Sequence, residues 1–218
     1  MRGKLVVLDG IDGSGKSTQF ELLRERLGAE ERRFRYVRFP RYSENSSLFV
    51  REYLSGALGG DADDVSPYIA SAFYAHDRVC AFDGGLRQYI EDGGLLLCDR
   101  YTTSNAILQG AKLEGSARFE FADWLFDYEY RRLGLPEPDR VILLNMPARL
   151  AVGLIAARAE RTDIHERAGF LARAEKCGLE MAKRYGWRVI DCADGDAVRS
   201  REEIADGIYR AIFGASGQ

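Results

Sequence analysis

The chain has 218 residues, with 31 Lys and Arg against 34 Asp and Glu and a net charge of -3. So even a balance gives no overall basic field, and nucleic acid is not expected as a partner. No apolar run approaches the ~18 residues of a membrane span, so no membrane association is expected either.

The length suits one α/β domain, taken as residues 1–218. The chain enters an apolar run at once, with no signal-peptide pattern. Cys80, Cys98, Cys177 and Cys192 have neither metal-ligand nor redox spacing, so reduced thiols in a cytoplasmic protein are expected. His76 and His165 are its two histidines, too few to expect a zinc site.

The first apolar run, Leu5 to Asp9, reads as a buried strand. Gly10-Ile11-Asp12-Gly13-Ser14-Gly15-Lys16-Ser17 follows and fits G-x-x-x-x-G-K-[ST], with Thr18 beside it. Gly10 and Gly15 let the backbone turn tightly, so that N–H groups converge on an anion. Lys16 can reach the outer phosphates of a nucleoside triphosphate, and the Ser17 hydroxyl can bind Mg2+. Ser17 to Leu27 reads as an amphipathic helix with Phe20, Leu23 and Leu27 on one face and Gly28 as its stop. Its positive dipole end completes a phosphate grip.

Further strand-like runs are Arg35 to Phe39, Leu95 to Asp99, Val141 to Asn145 and Arg188 to Asp191. Their alternation with helical stretches predicts a parallel sheet with helices on both faces. Ser66-Pro67 is a helix start, with Ser as N-cap and Pro at the first position. Gly134-Leu135-Pro136-Glu137-Pro138-Asp139 ends a helix and leads into the fourth strand. Leu95 to Asp99 ends in a carboxylate, and ligands of open α/β sheets lie beyond the carboxyl ends of the strands. Asp99 is therefore expected near a Mg2+-phosphate centre, and Arg100 as a bidentate clamp on a phosphoryl group. The ordinary alternative is a helix-capping Asp99 and a surface-paired Arg100. No N-K-x-D guanine-reading signature occurs, and the chain is short for a motor ATPase.

Several spaced segments resemble the thymidylate kinase family. These are Phe39-Pro40-Arg41-Tyr42, Tyr74-Ala75-His76-Asp77-Arg78, and Asp99-Arg100-Tyr101 with Ser104-Asn105 and Gln109-Gly110. Gly134 to Asp139 fits as well, and the resemblance runs from about Lys4 to about Tyr209. It implies a three-layer α/β/α P-loop NTPase fold with a five-stranded parallel sheet. It also implies transfer of the γ-phosphoryl group of ATP to dTMP, with Mg2+ as cofactor, in a homodimer joined through helices such as Ala70 to Cys80 and Phe119 to Tyr130.

Tyr74 and Arg78 are four residues apart and share a helix face. The ring can stack on a base while the guanidinium donates to its carbonyl oxygens. Cytosine would present an unpaired amino donor there, which is the basis of discrimination. Without the resemblance, a core tyrosine and a surface arginine would be the simpler reading. By resemblance, Arg41 holds the acceptor phosphate, Tyr42 lines its sugar-phosphate site, Asp12 lies near the acceptor sugar and Mg2+, and Asn105 contacts base or sugar. Arg38 is the weaker substitute for Arg41, because strand alternation would turn it elsewhere. The family more often has Phe where Tyr74 stands. Leu108 lies near the place where many relatives carry a tyrosine that excludes a 2′-hydroxyl.

Arg158 to Arg167 resembles a lid, with the lid region at about 156–166. Arg158 and Arg161 are its candidates for stabilising charge on the transferred phosphoryl group, and the choice between them stays open. His165 and Glu166 face the acceptor sugar by resemblance, while Asp163-x-x-Glu166 equally fits a capping box. Two further readings remain: another nucleotide or nucleoside kinase, acting on uridylate or a deoxynucleoside, and a non-catalytic nucleotide sensor.

Overall fold

The computed structural model describes residues 2–157, 165 and 168–214. Five strands form one sheet: β1 (Lys4–Asp9), β2 (Phe34–Arg38), β3 (Leu95–Asp99), β4 (Arg140–Asn145) and β5 (Arg188–Asp191). Their order is β2-β3-β1-β4-β5, and every neighbouring pair is parallel. Parallel strands need long crossovers, and the helices that supply them cover both faces.

Two apolar cores result. Leu5, Val7, Leu96 and Cys98 point to one face and pack with Phe39, Phe82 and Ile90. Val6, Leu8, Leu97, Ile142 and Leu144 meet Phe20, Leu23, Ile107 and Leu171 on the other. Successive residues of a strand alternate between faces, so a strand covered on both sides reads as an unbroken apolar run. Each such side chain contributes about 1.5–3 kcal/mol by leaving water.

The helices are α1 (Lys16–Ala29), α2 (Leu48–Leu54), α3 (Pro67–Ala81), α4 (Arg87–Glu91), α5 (Thr102–Leu108), α6 (Gly115–Phe126), α7 (Ala148–Ala156), α8 (Ala168–Tyr185) and α9 (Arg201–Phe213). α1 starts one residue before the expected Ser17 and runs past Gly28, while Phe20, Leu23 and Leu27 are buried as expected. α3 begins at Pro67, but Ser66 makes no side-chain cap hydrogen bond; the fixed backbone of proline at the first position sets this start. A π turn, Phe82–Leu86, follows α3, with Gly85 at φ 115°. A second π turn, Asp127–Arg132, extends α6. A short antiparallel pair, β6 (Ala193–Asp194) and β7 (Ala197–Val198), was not expected from the sequence. All four cysteines are free thiols, with Cys80 exposed and the other three buried. Among the described residues, no helix is long and apolar enough to cross a membrane.

Because β1 lies between β3 and β4, the loop after β1 and the segment after β3 emerge side by side. Leu8 is in register with Asp99.

Candidate active site

The loop from Gly10 to Gly15 joins β1 to α1. Gly13 has φ 78°, and a Cβ there would stand 2.7 Å from the Ala151 carbonyl oxygen of α7. Only glycine allows both that left-handed backbone and that approach. The Lys16 ammonium donates to the carbonyls of Gly10 (2.9 Å) and Ile11 (2.8 Å) and to Ser14 Oγ (3.3 Å). Burial and the nearby Arg100 push its pKa down to about 8, against the opposing pull of Asp12, Asp99 and Asp9. A cavity of about 580 Å³ opens here, lined by Gly13, Lys16, Ser17, Thr18, Arg38 and Arg199 among others.

Arg100 is 8% exposed and adopts the left-handed φ of 68°. That conformation is uncommon for a branched or long side chain and clusters where a site demands it. Its Nη2 meets Asp12 Oδ1 at 2.5 Å, and its Nη1 donates to the Gly10 carbonyl at 3.2 Å. Burial would raise the pKa of Asp12, but Arg100 and Lys16 outweigh it and hold the carboxyl at about 2. Burial likewise opposes the Arg100 charge, and Asp12, Asp9 and Asp99 overcome it, so this cation is permanent.

Two carboxylates support this pair. Asp9, fully buried, accepts from Thr103 Oγ1 and Ser104 Oγ, each at 2.6 Å, and from the Gly10 amide at 2.9 Å. It locks the start of the phosphate loop to α5, and sequence reading treated it only as the end of a strand. Asp99, 1% exposed, accepts from Tyr36 OH at 3.3 Å, while its Oδ1 has no hydrogen-bond partner among the described residues. Burial and then Asp99 push the Tyr36 phenol up to about 12. Arg38, the weaker substitute for Arg41, has Nε 3.7 Å from Asp99 Oδ2 and lines the loop cavity.

The acceptor candidates lie on β2's exit, α3 and α5. Arg41 follows a cis Phe39–Pro40 bond and is a quarter exposed. Its Nε donates to Asp77 Oδ1 at 3.0 Å, its amide to Asp77 Oδ2 at 2.8 Å, and Nη2 to Ser46 Oγ at 3.0 Å. Tyr42 is 45% exposed and close enough to Arg100 to interact electrostatically. Tyr74 and Arg78 share the buried face of α3 as expected. The surface-arginine alternative is excluded: Arg78 is 1% exposed and forms a two-pronged ion pair with the buried Glu129. Burial would lower its pKa, and Glu129 outweighs that and raises it. Asn105 is buried, with Nδ2 donating to the Ser71 carbonyl at 3.4 Å, and Leu108 is buried too.

His165, 2% exposed, lies 2.9 Å through Nε2 from Tyr53 OH and stacks on Phe170. Burial pushes its pKa down to about 3, although Asp12 is near enough to oppose the shift. Tyr53 in turn meets Tyr74 edge to face at 6.4 Å. Asp12, His165, Tyr53 and Tyr74 thus connect the phosphate loop to the candidate base-stacking ring. Arg158, Arg161, Asp163 and Glu166 lie outside the described residues.

Sequence reading missed Asp9, Asp77, Glu129 and Tyr53. Asp77 carried a signal, since it stands next to Arg78. The others gave none: Glu129 meets Arg78 across 51 residues, Asp9 meets Thr103 across 94 and Tyr53 meets His165 across 112.

A profile of the family described as "Thymidylate kinase" matches residues 8–204. The chain is 34% identical over 175 residues to the thymidylate kinase of Mycobacterium tuberculosis strain CDC 1551, covering 78% of this chain and 79% of that one. It is 30% identical over 194 residues to the thymidylate kinase of Homo sapiens, covering 88% of this chain and 84% of that one. A solved thymidylate kinase from Candida albicans has the same fold, with a TM-score of 0.71 and 20% identity over 97% of this chain and 91% of its own.

Proposed function

The chain belongs to the thymidylate kinase family, and on that premise we propose that it transfers the γ-phosphoryl group of ATP to dTMP, giving dTDP and ADP. The observation that carries this reading is Arg100, paired to Asp12 of the phosphate loop at 2.5 Å and standing at the end of β3. From there one guanidinium can serve a donor held on the loop and an acceptor phosphate held by Arg41. Lys16 leaves the loop carbonyls for the outer phosphates as the triphosphate enters, and the loop amides hold the rest. Tyr74 stacks on the base and Arg78 donates to its carbonyl oxygens. Asn105, Tyr42 and His165 line the acceptor side, and Glu166 joins them from the lid.

The attacking oxygen belongs to an ionised phosphate, so no strong base is required. A His165 with a pKa of about 3 agrees with a lining role rather than proton abstraction. Arg158 or Arg161 of the lid would add charge to the transferred group.

Among the described residues no cluster of three or more His, Cys, Asp or Glu could hold a metal. Mg2+ would take its protein contacts from the Ser17 hydroxyl and Asp99, whose buried Oδ1, without a hydrogen bond among the described residues, suits a hard cation. Bound there, it would neutralise charge between the outer phosphates. A cytoplasmic location is part of this reading and accords with four free thiols. So is a homodimer through α3 and α6, where Ile69 of α3 is 55% exposed and Phe49 of α2, stacked on Phe73 of α3, is 56% exposed.

The test is ADP release with ATP and Mg2+ and one acceptor per well: dTMP, dUMP, UMP, dCMP, dGMP or thymidine. Turnover with dTMP should lead by roughly tenfold or more over dCMP, which leaves a donor unpaired. A faster acceptor than dTMP overturns the base assignment, and silence in every well with ATP still bound favours a sensor.

A further inference from the structure

Arg78 is a cation with 1% of its surface exposed, and a thymine base would offer it no charge in return. Its partner is Glu129, which no motif singled out. Glu129 Oε2 accepts from Arg78 Nε at 2.7 Å, and Oε1 accepts from Nη2 at 2.5 Å. Thr102 Oγ1 donates to Oε2 at 2.7 Å. The Glu129 backbone is fixed as well, since its carbonyl accepts from the Leu135 amide at 2.9 Å. Three segments meet at one carboxylate: α3 through Arg78, the first residue of α5 through Thr102, and the π turn Asp127–Arg132 that carries Glu129 itself.

A two-pronged carboxylate fixes the plane of a guanidinium as well as its place. With Nε and one hydrogen of Nη2 committed to Glu129 and the guanidinium carbon 5.9 Å from the Tyr101 ring centroid, Nη1 makes no hydrogen bond among the described residues. That leaves one edge of Arg78 for a ligand. A buried ion pair is weak ground for stability, because apolar groups of similar volume often serve as well; fixing a unique geometry is the better-attested use. The π turn adds to this, as such insertions recur at functional sites and re-aim a side chain.

We propose that Glu129, held by Thr102, is the positioning residue that orients Arg78 to read the acceptor base, so that base selectivity depends on a carboxylate that does not touch the substrate. The proposal rests on the assignment of Arg78 to the base of dTMP.

Glu129→Gln keeps the shape but turns an amide donor toward either Arg78 or Thr102, which both donate. The experiment compares wild type, Glu129→Gln and Glu129→Asp for kcat and KM with dTMP and with dCMP, and for KM of ATP. The expected result for Glu129→Gln is a tenfold or greater rise in KM for dTMP, kcat within threefold, an unchanged KM for ATP, and a matching fall in preference for dTMP over dCMP. Glu129→Asp, which keeps the charge, should recover part of that preference. Unchanged KM and preference would overturn the proposal. So would losses shared equally by ATP and dTMP, the pattern of a merely structural residue. Should Glu129→Gln fail to fold, Thr102→Val removes only the supporting hydroxyl and Thr102→Ser restores it. The valine variant should raise KM for dTMP and the serine variant should not; equal behaviour of the two overturns the proposal. A wild-type enzyme that does not prefer dTMP would instead sink the base assignment itself, and the proposal with it.

Discussion

Lys16 folds its ammonium onto the carbonyls of the loop it serves, where burial and Arg100 lower its pKa to about 8. In the free protein this group therefore loses its proton as pH rises through about 8. Against triphosphate oxygens the charged form is favoured, so binding above that pH takes up a proton. ATP affinity should then fall as pH rises past 8, by up to about tenfold per unit. Calorimetry from pH 7 to 9.5 in buffers of different ionisation heat measures both the affinity and the proton uptake. Lys16→Arg keeps its charge throughout and should lose the inflection; an inflection that persists would assign it to another group. No inflection near 6.5 is expected from His165, whose burial keeps it neutral throughout that range.

Helix α9, whose Arg201 and Ile204 help to line the loop cavity, shows how a supporting element is held in place. Ser200 Oγ accepts from the Glu203 amide at 3.2 Å, and Glu203 Oε2 accepts from the Ser200 amide at 3.0 Å, a complete capping box. The helix so started packs on α1, through Arg26–Asp206 at 2.8 Å and through Gln19 Nε2, which donates to the Arg201 carbonyl at 3.1 Å. Ser200→Ala should cost about 1 kcal/mol in denaturant unfolding, with kcat at 25 °C unchanged. A loss of activity at full stability would show instead that α9 shapes the site. The strands were legible in the sequence because burial on both faces leaves a continuous apolar run. β6 and β7 were not, at two residues each. The π turns escaped notice for a different reason: they continue the helices before them, and Gly84-Gly85 alone hinted at one. Of the candidate site, the phosphate loop was legible because its residues are adjacent. Arg78 with Glu129 and Arg41 with Asp77 were not, being contacts 51 and 36 residues apart that only the packing of α3 creates.

At the scale of the molecule, strand order does the positioning. With β1 next to β3, the loop after one strand and Asp99-Arg100 after the other share the carboxyl edge of the sheet. β2, beyond β3, delivers Arg41 to the same edge, where Asp77 of α3 meets it, and the next residue of α3, Arg78, meets Glu129. Two adjacent residues of one helix thus serve the two ends of the proposed acceptor site: Asp77 holds Arg41, and Arg78 is itself held by Glu129. The central claim is the identity of that substrate. The most direct measurement is label transfer from γ-32P-ATP in one vessel holding equal dTMP, dUMP, UMP, dCMP, dGMP and thymidine, with products separated by chromatography. Most of the label should appear in dTDP. Label gathering in any other product, or only in inorganic phosphate, would contradict the account.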